Sequence, residues 1–341
     1  MEYNKIRSTD YSEKMDDTIF TYDEQFYPLD SDLPDPQVDP VIPGKRVMIQ
    51  KVGIAPVDLP VKLLRRDGGV QVLQTEASLY CSLDDMNAKG LNLSRLYLIM
   101  HDTIENQLSL DGIKAALHNL ATKQGSKNAY CKLRFKYPWH QEALRTRKEL
   151  AAIPEGAVHD PMLTQTLSDG TVINREKMVG HIAYKTEIEG QYIDGKYKFF
   201  LTVDYVYSST CPCSFELSHN ARNYRKQAAN AHSQRSIAKV KVQFNPDNVV
   251  WVEDVVELCR HQIPTEVQIV VKRRDEQAFA ELNGSNLLFS EDTARLLYES
   301  LDQWYDSGKI SDFSVSISHE ESLHPWNAIA VVYKDIPGGL R

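Results

Sequence analysis

Hydrophobic and polar positions alternate along two early stretches of the chain, 46–54 (RVMIQKVGI) and 70–83 (VQVLQTEASLYCSL), with the period of half-buried strands. The rhythm then changes. In 108–122 (LSLDGIKAALHNLAT) the apolar residues Leu110, Ile113, Leu117 and Leu120 recur at helical spacing. Asp111 falls in the first turn and Gly125 follows as a stop signal, so this stretch is predicted to be helical. Residues 128–137 read as another strand. A second round follows, with strands expected at 178–190, 197–208, 236–244, 265–273, 311–318 and 327–334. An amphipathic helix is expected from Ser290, its N-cap, to about Tyr305, with Ala294, Leu297 and Leu301 on one stripe. Two rounds of strands with helices between them predict an α+β fold of two tandem modules. Each is an antiparallel sheet with helices on one face, the first over 45–195 and the second over 196–341. No strict internal repeat accompanies them. Residues 1–44 are acidic and end in PLDSDLPDPQVDPVIPGK, where the prolines exclude a helix, so they read as a lead-in arm.

Composition narrows the class. With 42% hydrophobic and 25% charged residues the chain has the make-up of a soluble globular protein. Its longest apolar runs fall far short of the roughly 20 residues of a bilayer span. No apolar signal-peptide core follows Met1, and the expected location is cytoplasmic. A formal charge of −8 argues against a broad nucleic-acid surface while leaving room for a local basic pocket. Five cysteines, odd in number and scattered, favour free thiols or metal ligands over a disulfide framework.

The chemistry concentrates in TCPCSFELSHNARNYRKQAANAHSQRS, residues 210–236, where Cys211 and Cys213 flank a proline and His232 follows 21 residues after the first thiol. A redox pair, a structural zinc clip and a catalytic metal site all remain open on these residues alone. A structural zinc site wants four protein ligands, and Cys81, Cys131 and Cys259 are solitary residues in strand or helix patterns. A catalytic metal needs three protein ligands and keeps a position open for water. Candidate carboxylates and imidazoles lie in VVKRRDEQAFAELNGSNLLFSED (270–292) and SISHEESLHPWNA (316–328). The bland reading of Asp275-Glu276 is a solvated helix start. Charged groups between two apolar strands, as in Glu320, Glu321 and His324, are costly unless a site uses them.

Taken in order, TCPCS, AHSQRS, VKRRDEQAFAELNGSNLLFSEDTARLL and ESLHPWNAIA resemble the GTP cyclohydrolase IB family, metal-dependent enzymes that open the guanine ring to make dihydroneopterin triphosphate. The earlier KGLNLSRLY (89–97) is similar to a Ser-Arg segment shared by that family and the nitrile reductases of deazapurine synthesis. The resemblance runs from about residue 46 to the C-terminus. It implies a tunnelling fold whose modules assemble into a barrel-like homo-oligomer, a tetramer, with active sites between subunits, and GTP as substrate for a folate-type or deazapurine pathway. It implies metal ligation by Cys211, His232 and Glu276, catalysis by Cys211, Glu321 and His324, and purine anchoring by Glu291. Arg235 is a candidate for the triphosphate, and the role of Cys213 is open. Thiolate with imidazole suits zinc, and a carboxylate keeps manganese or iron in play. The family's histidine stands much closer to its first cysteine, so residues 219–230, carrying Arg222, Arg225 and Lys226, are expected to bulge as a loop. The alternatives are another pterin or deazapurine enzyme of the same fold, such as a nitrile reductase, or a non-enzymatic metal or redox module.

Overall fold

The computed structural model describes residues 42–105, 108–145, 164–166, 168, 172–174 and 179–340. The N-terminal arm lies almost wholly outside the described residues. Among the described residues, ten strands and six α-helices follow in the order β1 (Ile49–Leu64), β2 (Val70–Leu83), α1 (Leu93–Met100), α2 (Leu110–Gln124), β3 (Asn128–Glu142), β4 (Thr164–Thr166), β5 (Val172–Asn174), β6 (Val179–Ile193), β7 (Lys196–Thr210), α3 (Pro212–Asn223), β8 (Ser233–Phe244), α4 (Val252–Gln262), α5 (Arg273–Ser285), α6 (Ser290–Asp306), β9 (Asp312–His319) and β10 (Ala328–Tyr333), with a π-helical turn at His101–Glu105 after α1. β4 and β5 pair only with each other. The other eight form one antiparallel sheet in the order β1-β2-β3-β6-β7-β8-β9-β10. The class is the α+β one expected.

Register explains why helices cover one face only. Across the sheet, Leu79, Cys131, Ile188, Leu201, Val242 and Phe313 belong to rows aligned through the ladder and point to the same side. That side is apolar and carries α2, α4 and α6, so Cys81, Cys131 and Cys259 are core residues as their patterns suggest. The other side carries Glu76, Arg134, Lys185, Glu187, Asp204, Lys239 and Lys241 along an open hollow of about 1110 Å³. β6 and β7 are joined by a hairpin in which Asp194 and Gly195 both have positive φ, the geometry that matches the twist of paired strands. α2 sits close because Gly190 stands beneath it: a Cβ there would lie 2.5 Å from Ile113 Cγ2. Ser109 caps α2 by accepting from Gly112 N, and Gly125 closes it in the left-handed conformation.

The expected strand at 265–273 is not a strand. Glu266 makes a single bridge to Tyr207, and the chain then runs irregularly to α5. Its physical reason is position. β6 pairs with β7 only from Lys185↔Asp204 onward, so the far ends of these strands part and residues 263–271 fill the gap. Ser208 N donates to Thr265 O, Thr265 Oγ1 donates back to Ser208 O, and Gly180 lets Ile269 and Val270 approach a strand that any Cβ would push away. Two further expectations shift. Ser290 is the first helical residue, with Phe289 at the cap position, and α1 and α4 are helices that the sequence reading did not separate from their surroundings. β1 extends past its expected end through Pro56 and Pro60, which an edge strand tolerates because one side of its ladder is unpaired.

Glu266 holds this wedge in place. It is buried and accepts from Gln141 Nε2 on β3 at 2.8 Å, from Arg260 Nε on α4 at 2.9 Å, and from the Tyr184 hydroxyl on β6. Gln141 also donates to Val267 O and accepts from Ile269 N. Arg260 lies over the Trp139 ring, 4.6 Å from its centroid. Burial, then the adjacent carboxylate, pushes the Tyr184 hydroxyl up, so it remains a proton donor. Replacing Glu266 with Gln leaves Arg260 facing a neutral partner in a largely dry site and is expected to cost about 3 kcal/mol. Removing the exposed Arg66, which pairs with Asp254 and Glu257, should cost no more than about 1 kcal/mol. Denaturant midpoints measure both, and equal losses would contradict the clamp.

Candidate active site

Sequence at the ends of β7 and β8 determines the local geometry. The strands run in register to Thr210↔Ser233, and their ladder continues one step further, with Cys211 N donating to His232 O at 3.3 Å. Thr210 and Ser233 share a hydroxyl hydrogen bond of 2.7 Å. Two residues 21 positions apart are thereby placed side by side at the sheet rim. Cys211 is the N-cap of α3 and Pro212 occupies the first helical turn, where its missing N–H costs nothing. Cys213 is therefore helical and exposed, not extended beside Cys211. The stretch 219–230 is a loop only from Tyr224 onward. Residues 219–223 extend α3, and the returning irregular segment is tied to it by Arg222 donating to Ala229 O and to Asn230 Oδ1.

His232 is half-buried and oriented by a residue absent from the candidate set. Gln234 Nε2 donates to Ser209 Oγ at 2.9 Å, and Ser209 meets Ser236 at 2.7 Å. Two acceptors, Gln234 Oε1 at 3.1 Å and the Glu321 carboxylate at 3.8 Å, face His232 Nδ1. The proton therefore belongs on Nδ1, which leaves Nε2 with a free lone pair. Gln234 lies within the AHSQRS run, and its even position on β8, shared with Ser236 and Ala238, marks it as facing the helices. Glu321 Oε2 lies 3.8 Å from His232 Nδ1, brought there by Glu320 N donating to Arg235 O as the chain leaves β9.

Glu291 stands at the start of α6. Its carboxyl accepts its own amide N–H and the Ser290 hydroxyl, which hold it below the usual carboxylate range and keep it an ionised acceptor. Beneath it lies His319, the last residue of β9, buried with Nε2 2.8 Å from the Tyr207 hydroxyl. Burial drives the His319 imidazole down to about 4, against a weaker opposite pull from Glu291. His319 was a residue without evident partners in the sequence; its position at a strand end beside Glu320 and Glu321 is the signal that could have raised it.

The remaining candidates stand apart. Glu276 is exposed on α5, whose start is pinned by buried Asp275 accepting Lys272 N and Arg145 N. Arg235 is exposed between buried Gln234 and Ser236, so it leaves β8 on the face opposite the helices. His324 is exposed in the 320–327 segment, stacked on Trp326. Among the described residues no group of three His, Cys, Asp or Glu side chains is disposed to hold a metal. Cys211 and His232, backbone neighbours across the end of the β7–β8 ladder, carry a sulfur and a nitrogen donor, and Glu276 is not gathered with them among the described residues of one chain.

With this geometry in place, comparisons with known proteins are specific. The model of the type I GTP cyclohydrolase FolE2 family matches residues 33–159 and 164–330, and the chain belongs to that family. GTP cyclohydrolase FolE2 of Dinoroseobacter shibae is 38% identical over 304 residues, covering 88% of this chain and 74% of the relative. The FolE2 of Cereibacter sphaeroides is 36% identical over 315 residues, covering 92% and 77%. Among solved structures, uricase from Arthrobacter globiformis overlaps 86% of this chain and 95% of its own at a TM-score of 0.45 and 8% identity. No described helix is long and apolar enough to cross a membrane.

One pH dependence follows from His319. Its imidazole titrates near 4 when folded and near 6.5 when unfolded, so between those values the unfolded chain binds the additional proton. Stability is therefore full above pH 6.5 and falls as pH drops toward 4, by a total on the order of 3 kcal/mol. Denaturant midpoints measured from pH 7 to 4.5 should fall less steeply in His319→Asn; parallel curves for the two proteins would contradict this.

Proposed function

We propose that the chain is a metal-dependent GTP cyclohydrolase of the IB form, opening the guanine imidazole ring of GTP with release of formate to give 7,8-dihydroneopterin triphosphate. The observation that carries this reading is the pairing of Cys211 with His232 at the β7–β8 rim, with Glu321 beside the histidine. The two modules are read as 45–195 and 196–341, with the second supplying most of the site.

Cys211 and His232 would hold a divalent zinc, manganese or iron ion, with Glu276 as the third ligand. Such an ion, when bound, lowers the pKa of water from about 15.7 toward 7 and so supplies a nucleophile at neutral pH. The chain's own residues do the rest. Glu291, kept ionised, accepts the guanine N1–H and amino N–H together, which adenine cannot offer. Gln234 faces His232 Nδ1 as an acceptor, so Nε2 would be the nitrogen available to hold a metal. Glu321 and His324 accept and return protons as the ring opens and the ribose rearranges. Arg235 would take a triphosphate oxygen. Its separation from Glu291 by the sheet, with Glu276 apart from the Cys211–His232 pair, supports sites completed between subunits of a homo-oligomer, read as a cytoplasmic tetramer.

Purified protein incubated with GTP and Mn²⁺ or Zn²⁺ should release formate and a fluorescent pterin; metal-loaded protein that turns over no GTP with any of several ions would sink the reading. Cys211→Ala and His232→Ala should lower bound metal. Glu321→Ala should keep the metal and lose turnover by roughly a hundredfold or more. A fully active Glu321→Ala would remove that residue from the mechanism.

A further inference from the structure

Trp326 is an exposed aromatic residue with an unusually specific neighbour. Its ring lies 4.7 Å from the His324 imidazole, centroid to centroid, with 9° between the planes. Trp326 is 62% exposed and Leu323, on the other side of His324, is 66% exposed, so core packing does not account for the arrangement. Pro325 separates the two rings and fixes the backbone φ between them. Among the described residues no hydrogen bond or ion pair orients the His324 ring. The stack is its one ring contact, on a segment with no regular secondary structure between β9 and β10.

We propose that Trp326 is a positioning residue for His324, holding the imidazole plane so that its edge nitrogens, and not its face, meet the substrate. The proposal rests on the reading of His324 as a proton-transfer residue. A histidine side chain turns about two torsions, and a proton transfer needs its nitrogen within about 3 Å of the reacting group, so an unrestrained ring spends most of its time unproductively. A parallel indole removes rotations about the second torsion while leaving both nitrogens free. A hydrogen-bonding partner would restrain the ring too, but would occupy one nitrogen. That distinction suits a group that must both take and give a proton.

Trp326→Ala, Trp326→Phe, His324→Gln and the Trp326→Ala/His324→Gln pair are compared for GTP turnover in the metal-loaded, full-length protein. The expected result is a kcat lowered roughly tenfold or more by Trp326→Ala with KM changed less than about twofold. Trp326→Phe should recover most of it, and the double variant should be no slower than His324→Gln alone. An unchanged kcat in Trp326→Ala, additive losses in the double variant, or a raised KM with kcat intact each overturns the proposal, the last by making Trp326 a substrate contact. A second measurement does not depend on turnover. Proton resonances of labelled histidines should show one imidazole, identified by its absence in His324→Gln, shifted upfield by the indole ring current and moved downfield in Trp326→Ala. An unshifted His324 overturns the stack itself, whereas absent GTP turnover in the unaltered protein, with the shift present, overturns only the proposed function.

Discussion

A single buried carboxylate, Glu266, is shared by groups from four parts of the fold. Gln141 from β3, Tyr184 from β6 and Arg260 from α4 all donate to it, and its backbone bridges to Tyr207 on β7. An eight-stranded antiparallel sheet has no intrinsic reason to open between two central strands, since each lost ladder step leaves backbone groups to be satisfied elsewhere. Here the open end of the β6–β7 pair is filled by a segment whose polar groups replace the ladder. A buried charge of this kind is costly unless it is paired and hydrogen-bonded, and here Arg260 pairs it while Gln141 and Tyr184 donate to it.

What the wedge accomplishes is visible at its two ends. Upstream, it braces β7 at Val206 and Ser208, immediately before Ser209, Thr210 and Cys211. The Ser209–Gln234–His232 chain of hydrogen bonds then sets the imidazole, so the orientation of one candidate ligand depends on a strand held by the wedge. Downstream, the segment leads through Lys272 into α5, and buried Asp275 fixes where that helix, and Glu276 on it, begins. At the opposite side of the same cluster, Tyr207 reaches His319 and so the floor beneath Glu291. Residues that sequence spreads over more than a hundred positions are thus organised around two strand ends and one irregular segment.

Much of this was legible in the chain. The strands at 70–83, 128–137, 236–244 and 327–334 follow from alternation because each is half-buried on a one-sided sheet. α2 announces itself by spacing, cap and stop. The wedge did not, for a physical reason: Val267, Ile269 and Val271 alternate like a strand, and only the divergence of β6 from β7 denies them a partner on both sides. Cys211 and His232 were legible as a pair by residue type, yet the helical state of Cys213 was not, because the local pattern gives no cue that Pro212 opens a helix. Gln234 and His319 escaped notice since their importance lies in what they touch across the sheet. Glu276, Arg235 and His324 remain dispersed in one chain.

The central claim is that Cys211 and His232 ligate one metal ion, and the X-ray absorption spectrum of the metal-loaded protein tests it most directly. The account predicts a shell with one sulfur scatterer near 2.3 Å among nitrogen and oxygen neighbours for zinc, and loss of that sulfur in Cys211→Ser with the remaining shell retained. A spectrum with only nitrogen and oxygen neighbours, or one whose sulfur survives Cys211→Ser, would contradict it.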